Sequence, residues 1–441
     1  MSRARRITIV GGGLAGPLLA CLLADDGHDV MILEQRGDPR KAGYEGGRSI
    51  NLALSARGLE ALDRIGLKDQ VLDEAVPMKG RMMHDREGKK AFSAYSIIPG
   101  EAINSVSRGG LNCMLLDAAE SRNNVKVHFG VECSIDVEAA CVTWTNQDGT
   151  ADTREADLVV GADGAGSAVR EAMAETGSIT ASTDFIDSGY KELAIPPGPD
   201  GSFLLEDDAL HIWPRGRYMM IALPNADGSF TCTCFWPLNG EASFEQVDSP
   251  EVIMDFFKTH FADAVALMPQ LVEDYQANPV GPLGTVRCSA YHLGGTAVLV
   301  GDAAHAIVPF FGQGMNAAFQ DCLRLADALR NHADLPAALV DYDRTQRPDG
   351  EVIAEFSLEN FIEMRDKTAS ALFRLRQRIR KRLNRMFPKL YVPRYNLVSF
   401  TTIPYANIRR HMAFRQVMLA GMLLGIAGVL ALITLGIRGT I

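Results

Sequence analysis

Arg6-Ile7-Thr8-Ile9-Val10-Gly11-Gly12-Gly13-Leu14-Ala15-Gly16 sets a short apolar run directly against closely spaced glycines. The run predicts a strand, the glycines a tight turn, and Pro17 to Asp26 a helix; His28 to Leu33 then predicts a second strand ending at Glu34. This is a βαβ unit. In Gly11-x-Gly13-x-x-Gly16 the first glycine permits the turn, the second lets backbone approach a pyrophosphate, and the third lets the helix pack closely. The helix N-terminus faces the phosphate charge. Glu34 stands twenty-one positions beyond Gly13, where a carboxylate can accept from ribose hydroxyls. Alone the glycine pattern is weak. With strand, helix and acid in register it predicts a dinucleotide site.

Two further stretches bear on which dinucleotide. Val298 to Val300 runs into Gly301-Asp302-Ala303-Ala304-His305, and an Asp at a strand end can bond a ribityl hydroxyl, which NAD lacks. Downstream, Pro309-Phe310-Phe311-Gly312-Gln313-Gly314-Met315-Asn316 leads into a helix whose first amides can face the N1 and C2 carbonyl region of a flavin, where charge builds on reduction. Val160-Gly161-Ala162-Asp163-Gly164 is again an apolar strand closing on Asp-Gly. His305 reads as a capping or packing group rather than a proton carrier.

The chain has 441 residues, 47% apolar and 22% charged, which excludes disorder and collagen and leaves room for two or three domains. With 44 basic against 54 acidic side chains and a net charge of -10, it lacks the basic face that nucleic-acid binding requires. The eight cysteines form no C-x-x-C pair; Cys232 and Cys234 fall on one face of a strand, and all read as reduced core thiols in a reducing compartment. A hairpin is expected over Gly80 to Tyr95, a helix over Leu111 to Ser121, and short strands at Val125 to Phe129 and Leu158 to Val160. From about 176 to 280 the texture becomes that of antiparallel strands with aromatic faces, and the parallel texture returns at Ala297. A second domain is therefore expected inside the first. Beyond about 355 the pattern is helical, with a cationic stretch at 373–385 read either as a solvated helix or as one resting on anionic lipid. Val417 to Ile437 carries no charge and is long enough to span a bilayer as a helix. Arg409, Arg410 and Arg415 precede it and Arg438 follows it, so the expectation is a C-terminal membrane anchor with the body facing the cytoplasm. Gly421 and Gly425 form a G-x-x-x-G that would suit a homodimer of such helices.

The glycine motif, the Gly161-Ala162-Asp163-Gly164 strand end and the Gly301-Asp302 strand end, in this order, resemble the FAD-dependent aromatic hydroxylases with one dinucleotide fold. The likeness covers residues 1 to about 350 and implies tightly held FAD with NADPH as a visiting co-substrate. Further stretches narrow it: R-S-I-N-L-A-L-S-x-R-G at 48–58, R-M-M-H at 81–84, S-V-S-R-x-x-L-N at 105–112, H-I-W-P at 211–214, M-M-I-A-L-P-N at 219–225 and N-F-I-E-M-R at 360–365. As a set they resemble the kynurenine 3-monooxygenase family.

That resemblance implies an α/β fold: a Rossmann-type FAD-binding domain (1–75, 101–175 and 285–355), an inserted antiparallel-sheet substrate domain (76–100 and 176–284), a C-terminal helical region (356–412) and a membrane tail helix (413–438). It implies that Arg81 pairs with the substrate carboxylate, with Tyr95, Asn360 and Tyr395 as hydrogen-bonding companions and Phe310 and Pro309 as the wall against the flavin ring. Read without it, Arg81 would be an exposed strand arginine. For FAD it implies Gly11, Gly13, Ala15, Gly16, Glu34, Arg36, Ala53, Arg108, Asp163, Asp302, Met315 and Asn316. The reaction implied is hydroxylation of L-kynurenine to 3-hydroxy-L-kynurenine with NADPH and O2, with no side chain needed as base because the aniline nitrogen activates the ring. The competing readings are a hydroxylase of another aromatic acid on the same fold, and a membrane-tethered flavoprotein that hydroxylates nothing.

Overall fold

Ile7, Ile9, Val30, Ile32 and the run Leu158-Val159-Val160 are all fully buried, which is the pattern of parallel strands covered on both faces. The computed structural model describes residues 4–42, 51–146, 148–362 and 392–415. In it these strands form one sheet in the order His292–Leu293, Ala297–Leu299, Leu158–Gly161, Arg6–Val10, Asp29–Glu34 and Val125–Phe129, with only the first pair antiparallel. The helix Ala15–Asp25 lays Leu18, Leu19, Leu22 and Leu23 into the layer it shares with the helices Arg108–Glu120 and Gly314–Asn331. The βαβ unit therefore forms as the glycine spacing predicts, the helix starting two residues earlier and the second strand one residue later than expected.

A seven-stranded sheet runs Gly281–Cys288, Ala181–Ile195, Phe230–Pro237, Met219–Pro224, Ala209–Pro214, Gly80–His84 and Lys90–Ala94. All neighbours are antiparallel except Ala209–Pro214 beside Gly80–His84. Side chains alternate between its faces. One face carries Met220, Ala222, Cys232, Cys234, Trp213 and Trp236, sealed by the helices Pro250–His260 and Leu271–Ala277. The register places Arg81 beside Leu210, Ile212 beside Ile221, and Met219 and Tyr190 beside Phe235, all on the other face. Cys232 and Cys234 thus share a buried face, as their spacing requires, and burial pushes both thiols up.

Behind Arg81, on the sealed face, His84 and His211 are buried. His211 Nε2 donates to the Glu206 carbonyl at 2.8 Å, its Nδ1 meets His84 Nε2 at 2.9 Å, and His84 Nδ1 meets Asp263 Oδ2 at 2.7 Å. Burial pushes His211 down to about 4 from an ordinary 6.5. The unfolded chain thus takes up this proton before the native state does. The associated stability is complete above pH 6.5 and is lost as pH falls towards 4, in total on the order of 3 kcal/mol. Urea unfolding at a series of pH values should show a shallower loss in His211→Gln than in the parent across that window; equal slopes would count against the assignment.

The expected membrane placement is corrected: among the described residues no helix is long and apolar enough to cross a membrane. The charge-free run at 417–437, its Gly421 and Gly425, and the cationic stretch at 373–385 lie outside the described residues. Length and absence of charge state what a span would need, not that one forms, so the anchored, cytoplasm-facing arrangement is withdrawn.

Candidate active site

Gly11 has φ of +111°, and a Cβ there would stand 2.4 Å from the Ala162 carbonyl oxygen; one at Gly16 would stand 2.0 Å from the Gly11 carbonyl oxygen. Both contacts forbid a side chain. A Cβ at Gly13 would meet nothing within 4 Å among the described residues. This open volume at the mouth of the turn fits the pyrophosphate expected there. Asn112 braces the turn by donating through Nδ2 to the Gly12 and Gly13 carbonyls at 3.0 and 2.9 Å. Its helix begins at Arg108 rather than at the expected Leu111 because Ser107 Oγ caps it by accepting from Gly110 N at 3.2 Å. Arg108 itself is half-buried at that helix start.

Glu34 is buried at the end of its strand and accepts from Gly12 N at 2.7 Å and from Arg36 Nε at 2.9 Å. Burial works against its charge, and the hydrogen bonds from Arg36 and Gly12 outweigh burial, holding the carboxyl below its ordinary value. It is thus a fixed anion beside the glycine turn. Ala15 opens the helix, and its carbonyl accepts a weak bond from Cys322 Sγ at 3.4 Å. Asp163 lies against Gly11 through its backbone, but its carboxylate is committed elsewhere. It accepts from Ser167 Oγ at 2.5 Å and Val169 N at 3.2 Å, bracing the start of the helix Ala168–Glu175, and burial pushes it up.

Asp302 is exposed just beyond the strand Ala297–Leu299, at the start of the helix Asp302–His305, its Oδ1 4.0 Å from where a Cβ on Gly314 would lie. The turn Pro309–Phe311 and left-handed Gly312 deliver the chain into the helix Gly314–Asn331, with Met315 in its first turn. Asn316 is fully buried and ties this turn to the strand Asn51–Leu54: its Nδ2 donates to the Ala53 carbonyl at 2.8 Å and the Gly312 carbonyl at 3.0 Å, while Oδ1 accepts from Ser55 N at 2.9 Å. His305 is buried with Nε2 2.6 Å from Asp321 Oδ2. Burial opposes its charge, but Asp321 outweighs burial and raises it, which suits a structural pair.

On the open face of the seven-stranded sheet, the Arg81 guanidinium lies 4.5 Å from the Tyr395 ring and 5.3 Å from the Tyr95 ring. The two rings stack at 5.1 Å. Burial disfavours the cation, yet Tyr395 and Tyr95 outweigh burial and hold it above its ordinary value; burial pushes the Tyr95 phenol well up, so that phenol is neutral at physiological pH. The fork keeps its charge for an incoming anion. Asn360 Nδ2 donates to the Phe310 carbonyl at 2.6 Å. Phe310 is buried, stacked on Phe361 at 4.4 Å and 4.9 Å from Phe235, while Pro309 is exposed. Tyr395 also lies 5.6 Å from Phe311, and Ile221 packs in both the Phe310 and the Tyr95 clusters. The structure therefore joins Arg81, Tyr95, Tyr395, Asn360 and Phe310 into one region, and gathers the glycine turn, Glu34 and Arg36 into another. The Asp163 carboxylate holds Ser167 and Val169 at the start of the helix Ala168–Glu175. Asn112, Ile221 and Met219 lie inside quoted motifs without being named as site residues, and Phe235 and Tyr190 lie in none; strand alternation around Arg81 points to Ile221, Phe235, Met219 and Tyr190.

A family model for an FAD binding domain matches residues 5–357. The kynurenine 3-monooxygenase of Myxococcus xanthus (strain DK1622) is 44% identical over 410 residues, 92% of this chain and 88% of that one. That of Dictyostelium discoideum is 44% identical over 418 residues, 92% and 90% of the two chains. Among solved structures, the tetrameric form of 2-methyl-3-hydroxypyridine-5-carboxylic acid oxygenase has a TM-score of 0.67 at 22% identity, covering 83% of this chain and 94% of its own. Pseudomonas aeruginosa PqsL in complex with 2-aminobenzoylacetate has a TM-score of 0.66 at 20% identity, covering 82% and 97%. These two speak for the fold, the FAD-binding monooxygenase α/β fold with mixed sheets. The chain belongs to the kynurenine 3-monooxygenase family of FAD-binding proteins.

Proposed function

We propose that this protein hydroxylates L-kynurenine to 3-hydroxy-L-kynurenine, using bound FAD with NADPH and O2 as co-substrates. The reading rests above all on Arg81, held between two tyrosine rings on the sheet face whose neighbouring side chains pack on Phe310. The open volume at Gly13 and the fixed anion of Glu34 suit FAD. Gly11, Gly16, Ala15, Arg36, Ala53, Arg108, Asp302, Met315 and Asn316 complete its site, with Asp163 taking part through its backbone. When bound, FAD supplies the hydride acceptance and oxygen reactivity that amino-acid side chains lack.

The parallel-sheet unit carries FAD, and the seven-stranded sheet is an inserted substrate unit. Arg81 binds the substrate carboxylate, and the hydroxyls of Tyr95 and Tyr395 with the Asn360 amide complete its hydrogen bonds without adding charge. Ile221, Phe235 and Phe310 form a wall that positions the aromatic ring and excludes water. Asn316 fixes the turn Pro309–Phe311 against Ala53, so this wall keeps a set distance from the dinucleotide turn. The aniline nitrogen of kynurenine activates its own ring, so no side-chain base is needed. The purified yellow protein should oxidise NADPH much faster with L-kynurenine than with benzoate or phenylalanine. An equal response to all three, or to none, would refute the assignment.

A further inference from the structure

Arg57 lies in the first turn of the helix Ala56–Arg64 and is fully buried. Buried cations are ordinarily met by carboxylates. Arg57 instead donates through Nε to the Val398 carbonyl at 3.0 Å, through Nη2 to the Ile403 carbonyl at 2.5 Å, and through Nη1 to Gln320 Oε1 at 2.9 Å. Its guanidinium lies over the Tyr405 ring, 3.9 Å from the centroid. Val398, Ile403 and Tyr405 all belong to the segment 392–415. Asp349, buried in the helix Leu335–Ile362 and within electrostatic reach of Arg57, accepts from Ala406 N at 2.8 Å. A cation and a carboxylate thus grip one segment through its main chain.

That segment reaches both halves of the active site. Tyr405 donates its hydroxyl to Gln313 Oε1 at 2.9 Å, and Gln313 Nε2 donates to the Gly312 carbonyl at 3.3 Å, at the end of the turn that carries Phe310. Tyr395 shares the short helix Arg394–Ser399 with Val398 and sits over Arg81. Were the segment to lift, Arg57 would give up the Val398 and Ile403 carbonyls and the Tyr405 ring together. The docked position is therefore strongly preferred.

We propose that Arg57 is a positioning residue for the substrate. It clasps the segment 392–415 against the turn Pro309–Phe311 and so sets Tyr395 over Arg81, registering the carboxylate-binding end of the pocket to the wall at Phe310. This rests on the proposed roles of Arg81 and Tyr395.

The test compares Arg57→Gln and Arg57→Lys with the parent, each as FAD holoenzyme. In Arg57→Gln the FAD affinity should match the parent. The KM for L-kynurenine should rise about tenfold, and the hydroxylated product per NADPH should fall. Trypsin should cut faster at Arg409, and saturating kynurenine should slow that cleavage. Arg57→Lys should recover part of the KM, because an ammonium can still donate to the Val398 and Ile403 carbonyls. A merely structural Arg57 would lower thermal stability, FAD retention and kcat together without moving KM; that pattern, or a parent-like KM, overturns the proposal. If Arg57→Gln does not accumulate, Tyr405→Phe removes only the oxygen bonded to Gln313. It should raise KM about threefold at constant FAD affinity, and an unchanged KM again overturns the proposal. A parent protein that hydroxylates no kynurenine would instead sink the proposed function, while the trypsin comparison without substrate still reports on the clasp: equal cleavage at Arg409 in Arg57→Gln and parent would sink that separately.

Discussion

Arg81→Ala should weaken L-kynurenine binding by about 2 to 4 kcal/mol, a rise in Kd of roughly 30- to 1000-fold. The loss is large because the substrate carboxylate would enter a site with two phenols and no cation to meet it. Stability should move little. Removing the guanidinium gives up its contacts with the two rings and also relieves its desolvation, two effects of opposite sign that largely offset. FAD retention should also be unchanged, since Arg81 lies on the seven-stranded sheet and the dinucleotide turn on the parallel one. Arg81→Lys should recover only part of the affinity, because an ammonium cannot offer a planar fork to two carboxylate oxygens. Equilibrium titration of the flavin spectrum with L-kynurenine measures this directly; an Arg81→Ala protein with parental affinity would remove Arg81 from the substrate site.

Gly13→Val should abolish FAD binding while leaving the fold intact. The three glycines of the fingerprint separate by what surrounds them. A Cβ at Gly11 or Gly16 would collide with backbone at 2.4 or 2.0 Å, so side chains there break the turn itself. At Gly13 a Cβ meets nothing within 4 Å among the described residues, so valine costs the apoprotein little. Its methyl groups would fill the volume a pyrophosphate must enter, and the affinity for FAD should fall at least about 100-fold. Purified Gly13→Val should be colourless with the unfolding temperature of the FAD-free parent, whereas Gly16→Val should fail to fold. A yellow Gly13→Val protein would mean that the cofactor lies elsewhere.

The contrast among these glycines shows how far local chemistry carries. The βαβ unit, the hairpin around Gly88 and the return of parallel strands at Ala297 can be read from the sequence because hydrophobic period and turn residues are local properties. The start of the helix Arg108–Glu120 cannot, because Gly109 and Gly110 lower helix propensity while the Ser107 cap outweighs them. Arg81, Tyr95 and Tyr395 can be named through the family resemblance alone; nothing local brings a strand at 81 to a helix near 395, and it is the Arg57 contacts that pin the latter in place. Asp-Gly after a strand looks alike whether or not the acid also braces the next helix; the bonds from Ser167 and Val169 to Asp163 appear only in the fold. Charge-free length at 417–437 suggests a membrane span, but composition alone does not make a helix, and no described helix fills that role.

The fate of labelled oxygen decides between hydroxylation and its alternatives. Holoenzyme incubated with NADPH and L-kynurenine under 18O2 should give 3-hydroxy-L-kynurenine carrying one 18O atom, identified by mass and by coelution with the authentic compound. Unaltered kynurenine despite NADPH oxidation, or product whose oxygen comes from water, would contradict the proposed reaction.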